Sequence, residues 1–125
     1  MRAAVSARVP EEACGLLAGR IEAEVYSALA VFPITNVLHS PVRYRMDPTE
    51  QLAAFDEIDA RGWELVAIYH SHPSGPEGPS ATDIGEAYYP EVVYLIWSLN
   101  GNEWQCRGYT IQSGEVRPAA VWVTD

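Results

Sequence analysis

Three side chains between Tyr69 and Asp83 have the types and spacing that hold a metal ion. His70 and His72 stand two residues apart at the end of Leu65-Val66-Ala67-Ile68, a run that reads as a buried strand. Residues i and i+2 of an extended chain point to one face, so the two imidazoles project together. Asp83 falls in the first turn of the helix that follows, placed to turn back and supply a third donor. Two imidazoles, one carboxylate and a water make the open tetrahedral site of hydrolytic zinc enzymes. A donor set without thiolate suits zinc and accommodates iron or manganese as well. Plainer readings stand beside this one: Ser80-Ala81-Thr82-Asp83 has the form of a capping box, and His39 reads as an ordinary surface or hydrogen-bonded core histidine.

The elements that must position these groups follow from pattern. Met1 to Arg8 can form two helical turns before Pro10. Glu12 to Ala18 reads as a buried strand closed by a turn at Gly19-Arg20, and Glu22 to Phe32 as its antiparallel neighbour. Pro33 to Met46 is irregular. Asp47-Pro48-Thr49-Glu50 opens a helix, with Asp47 as cap, Pro48 in the first position and Glu50 completing a capping box. Leu52, Phe55 and Ile58 give that helix an apolar face, and Gly62 ends it.

Trp63 to Tyr69 is a strand, His70 to Pro79 a loop, and Ser80 to Tyr88 a second helix stopped by Pro90. Three strands complete the chain, Glu91 to Leu99, Glu103 to Gln112 and Glu115 to Val123, turned at Asn100-Gly101 and Ser113-Gly114. The order predicts an α/β or α+β fold, a mixed sheet sandwiched by helices.

Composition bounds the function classes. The chain has 125 residues, the size of one domain spanning 1–125, with 48% hydrophobic and 20% charged residues. Seventeen acidic residues against eight basic ones give a net charge of −9. That balance argues against a nucleic-acid stripe and against docking on anionic membrane. No apolar run approaches the ~18 residues of a membrane span, and Arg8 interrupts the short N-terminal Ala/Val stretch, so no signal peptide is expected. Two cysteines, Cys14 and Cys106, are expected as free thiols in a reducing cytoplasm.

The motif His70-x-His72-Pro73, with seven residues between His72 and Ser80 and then Asp83, resembles the signature of the JAMM (MPN+) metalloproteases. Glu12-Ala13-Cys14-Gly15-Leu16-Leu17 is similar to that family's other landmark, a glutamate entering a Cys-Gly-Leu-Leu strand. Asp47-Pro48 and the strand Val93 to Leu99 also look like its usual elements. The resemblance spans roughly residues 9 to 112 and implies a deaminase-like MPN fold. It implies His70, His72 and Asp83 as zinc ligands, Glu12 as general base, and Ser80 as the group that steadies the tetrahedral intermediate. Glu11 is then the neighbouring surface charge, since adjacent strand residues face opposite sides. Cys14 shares the face of Glu12 and reads as a small buried residue.

For substrate, the resemblance implies hydrolysis of the amide after the C-terminal Gly of a ubiquitin-like or sulfur-carrier protein. The compact chain looks like the short, stand-alone prokaryotic type. Thr35 to Met46 is the expected wall of a groove for a Gly-Gly tail, and Arg43 and Arg45 are candidate steering charges for an acidic carrier. The short N-terminal segment leaves one sheet face to be covered, by a homodimer or a partner. Competing readings are a metal-free scaffold of the same fold and a peptidoglycan or phage-tail peptidase. A nucleotide deaminase is excluded, because the chain has no Pro-Cys-x-x-Cys pair.

Overall fold

The computed structural model describes residues 1–122. The chain runs α1 (Arg2–Ser6), β1 (Cys14–Glu22), β2 (Val25–Ile34), α2 (Pro48–Ala60), β3 (Glu64–His72), α3 (Ala81–Gly85), β4 (Val93–Asn100), β5 (Glu103–Gln112) and β6 (Glu115–Ala119). The six strands form one mixed sheet in the order β2-β1-β3-β4-β5-β6. Only β3 and β4 are parallel, joined by the crossover that contains α3. Among the described residues no helix is long and apolar enough to cross a membrane. The α+β class expected from the sequence is the class observed.

The central strands are buried on both faces, which explains the near-continuous apolar runs in β1, β3 and β4. One face packs Cys14, Leu16, Ile68, Tyr94 and Ile111 against Ala54 and Ile58 of α2. The other gathers Leu17, Tyr69 and Trp97 around Val5 of α1, which is fully buried. On the face that the short N-terminal segment left in question, Val5 of α1 thus fills the centre, while Trp104 and Cys106 of β5 stay partly buried. Burying a side chain the size of Ile58 contributes about 2–3 kcal/mol.

Several boundaries differ from expectation, each for a tertiary reason. β1 continues past Gly19 to Glu22, and its turn lies at Ala23-Glu24 instead of Gly19-Arg20. Gly19 sits at a register shift where a Cβ would collide with the Ser27 carbonyl, so its glycine serves close strand approach rather than a turn. The apolar face of α2 is Ala54, Phe55 and Ile58, while Leu52 is 63% exposed. Asp47 caps α2 by accepting from the Thr49 and Glu50 N–H groups. Glu50 does not close the box; its carboxylate accepts from the Thr35 N–H and hydroxyl. Gly62, at φ +70°, does end α2, with the Gly62 and Trp63 N–H groups donating to Asp59 and Ile58 carbonyls.

β3 runs three residues beyond Tyr69, because parallel pairing with β4 continues to His72 opposite Ser98. The second helix is only five residues; Tyr89 donates its N–H to the Tyr94 hydroxyl instead of a helical carbonyl. β4 begins at Val93 and β6 ends at Ala119, shorter than the expected strands, and Val123 lies outside the described residues. The turns fall at Gly101-Asn102 and Ser113-Gly114.

Candidate metal centre and catalytic groups

The ladder of β3 carries His70 and His72 to the sheet's C-terminal edge with both rings on one face, 1% and 3% exposed. Their Nε2 atoms lie 3.1 Å apart. His72 Nδ1 is 2.7 Å from the Pro76 carbonyl, which fixes that nitrogen as a donor and turns Nε2 toward His70 and Asp83. The loop reaches this position through a turn at Gly75, φ +80°, whose N–H donates to the His72 carbonyl.

Asp83 arrives from the other side. Ser80 caps α3 with its hydroxyl, accepting from the Asp83 N–H, and the Ser80 N–H donates to Asp83 Oδ2 at 2.8 Å. The two readings of Ser80-x-x-Asp83 are therefore compatible: the capping box is what aims the carboxylate. Asp83 Oδ2 lies 3.2 Å from His70 Nε2 and 3.1 Å from His72 Nε2. Tetrahedral coordination at zinc–ligand distances of about 2.0–2.1 Å separates donors by about 3.3 Å. Three donors at this spacing, two nitrogens and one oxygen, fit zinc.

Glu12 precedes β1 by two residues. Cys14 pairs with His70, so continuing the antiparallel register sets Glu12 opposite His72 on the same face. Glu12 is 3% exposed and its Oε1 has no hydrogen-bond partner. One carboxylate oxygen of Glu12 lies within 4.8 Å of a nitrogen of each histidine. Two carboxylates thus approach the imidazole pair, and they differ in tether. Asp83 is closer and hydrogen-bonded to backbone, whereas Glu12 is unpartnered. Glu11 faces outward, its carboxylate 3.1 Å from His39 Nδ1.

The electrostatics follow from burial. Burial pushes the Glu12 carboxyl up to about 7; His72 pulls it down and Asp83 raises it further, both more weakly. Burial also opposes ionisation of Asp83, but hydrogen bonds from His70 and His72 outweigh it and hold Asp83 well below the usual carboxylate range. Burial lowers His70. For His72 burial is overcome by Asp83 and the Pro76 carbonyl, so its pKa is raised.

Sequence reasoning missed the groups that hold these side chains. Ser71, fully buried between the histidines, accepts from the Ala13 N–H at 2.7 Å and donates its own N–H to the Ala13 carbonyl, tying Glu12's segment to β3. Tyr44 stacks on His70, with ring centroids 4.6 Å apart and planes at 24°. Asn36 is 3% exposed; its amide donates to the Glu12 and Arg43 carbonyls and accepts from the Leu38 and Arg45 N–H groups. Asn36 and Tyr44 belong to the irregular stretch expected to form a groove wall; only its Pro, Asn and Ser content signalled ordered turns. Arg43 and Arg45 are exposed, and among the described residues neither lies in an ion pair. Both cysteines are free thiols; burial raises Cys14 to about 12 and Cys106 to about 11.

Comparison with known proteins places the chain. The sequence profile of the prokaryotic homologs of the JAB domain matches residues 1–107. A desampylase of Haloferax volcanii is 40% identical over 100 residues, covering 76% of this chain and 70% of its own. A CysO-cysteine peptidase of Mycobacterium bovis is 34% identical over 122 residues, covering 93% and 79%. The solution structure of a protein from Desulfitobacterium hafniense superposes with a TM-score of 0.88 at 35% identity, covering 98% of this chain and 85% of that one. With the profile spanning most of the chain, and with relatives and a shared fold in agreement, the protein belongs to the prokaryotic JAB family.

Proposed function

We propose that this protein is a zinc peptidase that hydrolyses the amide after the C-terminal Gly of a ubiquitin-like or sulfur-carrier protein. The observation that carries the reading is the convergence of His70 Nε2, His72 Nε2 and Asp83 Oδ2 within 3.1–3.2 Å of one another, beside a buried, unpartnered Glu12 carboxylate. The names of the relatives, a desampylase and a CysO-cysteine peptidase, support the reaction and the substrate class. Two free thiols support a reducing, cytoplasmic location.

His70, His72 and Asp83 would hold the metal. Zinc bound by these residues supplies Lewis acidity, polarising a carbonyl and making water acidic enough to ionise near neutral pH. Glu12, beside the ligands, takes the proton of the attacking water and returns it to the leaving amine. Its carboxyl, raised to about 7 by burial, suits a group that must both accept and release a proton at neutral pH. The Ser80 hydroxyl accepts from the Asp83 N–H, which leaves its own O–H to donate to the oxyanion of the scissile carbonyl. One such donor is typically worth ~3 kcal/mol. A Gly-Gly tail lets backbone approach the site without a Cβ in the way.

The test is intact-mass analysis of a ubiquitin-like carrier extended beyond its Gly-Gly terminus, incubated with zinc-loaded protein. The expected result is a mass loss equal to the extension, abolished by a chelator. Carriers left intact, alongside cleavage of a cell-wall peptide, would replace this reading with the peptidoglycan one.

A further inference from the structure

We infer that Asn36 is a positioning residue that holds Glu12 in the site through a brace formed by residues 35–46. The β1–β2 ladder begins at Cys14 opposite Ile34, two residues after Glu12, so regular sheet pairing with β2 does not reach the glutamate. The brace takes over. The Glu12 N–H donates to the Ser40 carbonyl at 2.8 Å, and the Glu12 carbonyl accepts from Asn36 Nδ2 at 3.1 Å. The same Nδ2 donates to the Arg43 carbonyl at 3.0 Å and approaches the Ser40 carbonyl at 3.5 Å. Asn36 Oδ1 accepts from the Leu38 and Arg45 N–H groups, both at 3.1 Å.

A primary amide offers two N–H donors and two acceptor lone pairs, and this one uses all of them in a buried position. An antiparallel bridge between Asn36 and Met46 and a bond from the Val37 N–H to the Arg45 carbonyl close the base of the brace. Its inner side carries Tyr44, stacked on His70, whose Nδ1 has no hydrogen-bond partner. One segment therefore sets both the backbone of Glu12 and the plane of His70. A buried carboxylate without a partner has every electrostatic reason to swing to water, and the brace opposes the backbone movement that would let it do so, alongside the Ser71–Ala13 bonds on the β3 side.

Two measurements test this, and the first stands independently of the peptidase reading. Amide hydrogen exchange on folded Asn36→Ala should show Glu12, Leu38 and Arg45 losing protection together, with Ile68 and Tyr69 of β3 unchanged. Asn36→Asp keeps the Oδ1 acceptor but has no N–H for the Glu12 carbonyl; it should lose protection at Glu12 and keep it at Leu38 and Arg45. The second measurement rests on the proposed peptidase activity and is a double-mutant cycle. Asn36→Ala should lower kcat by about 10- to 100-fold with KM little changed, the cost of a misplaced catalytic group. In a Glu12→Gln background the same substitution should cost less than about twofold, because the group it positions is already gone. Unchanged protection at Glu12, or losses that multiply in the cycle as a purely structural defect would, overturns the inference. A wild type that cleaves no carrier, with the exchange pattern as expected, leaves Asn36 as the anchor of Glu12 and removes only the peptidase reading.

Discussion

Two segments close over the same end of the sheet, and they are held in opposite ways. Residues 73–83 bring Asp83 to the histidines through short-range bonds: His72 to the Pro76 carbonyl, Gly75 to the His72 carbonyl, and the reciprocal pair between Ser80 and Asp83. Among the described residues their ion pair to a distant strand, Arg107 with Glu77 at 3.2 Å, is about half exposed at both ends. Residues 35–46, which bring in Glu12, are gathered on a single buried amide whose key partner is 24 residues away in sequence. The Asp83 side is built locally and tolerates a loose exterior. The Glu12 side is built from tertiary contacts, the Asn36 amide and the Ser40 carbonyl on one flank and the Ser71–Ala13 bonds on the other.

The largest effect expected of this contrast is at Glu12. Glu12→Gln should retain zinc, because the Asp83 side is independent of it, while kcat falls about 10²- to 10⁴-fold. Wild-type kcat/KM should rise with pH through an acid limb governed by ionisation of this carboxyl, and the limb should vanish in the variant. Stability gives the complementary sign. A carboxyl raised in the folded state from 4.5 to about 7 stabilises the fold while protonated, and that contribution is lost as pH rises between those values. Metal-free Glu12→Gln should therefore be more stable than wild type at pH 8, by up to about 3 kcal/mol, with the difference gone near pH 4 in urea titrations.

The smallest effect belongs to the exterior of the Asp83 side. Glu77→Ala breaks the exposed pair with Arg107 and should change stability by less than about 1 kcal/mol and kcat/KM by less than about twofold. A large effect there, or a small one at Asn36, would erase the distinction between the two segments.

The same contrast explains what the sequence makes legible. His70, His72, Ser80 and Asp83 form a motif because the bonds that assemble them span at most thirteen positions, as between His70 and Asp83. Local spacing therefore carries their geometry. Glu12 stands out only through its likeness to a family landmark, which also selects it over Glu11; strand alternation says only that one of the two can face the histidines. Asn36, Tyr44 and Ser71 left no such trace. Asn36 is one polar residue in a turn-rich stretch, and nothing in its neighbours names a partner near residue 12. Element boundaries slipped for a related reason: β3 extends to His72 because β4 pairs with it, a cause lying more than twenty residues downstream. Leu52 pointed to the wrong stripe of α2 because a three-residue spacing drifts around a helix, whereas Ala54 and Ile58 keep the four-residue step.

The claim on which the rest depends is the division of labour between two carboxylates, and the zinc-loaded protein decides it. In its crystal structure the metal should be bound at about 2.0–2.1 Å by Nε2 of His70, Nε2 of His72 and a carboxylate oxygen of Asp83, with Glu12 outside bonding distance. A zinc ion bound by Glu12 with His70 and His72, and Asp83 left off the metal, would contradict the account.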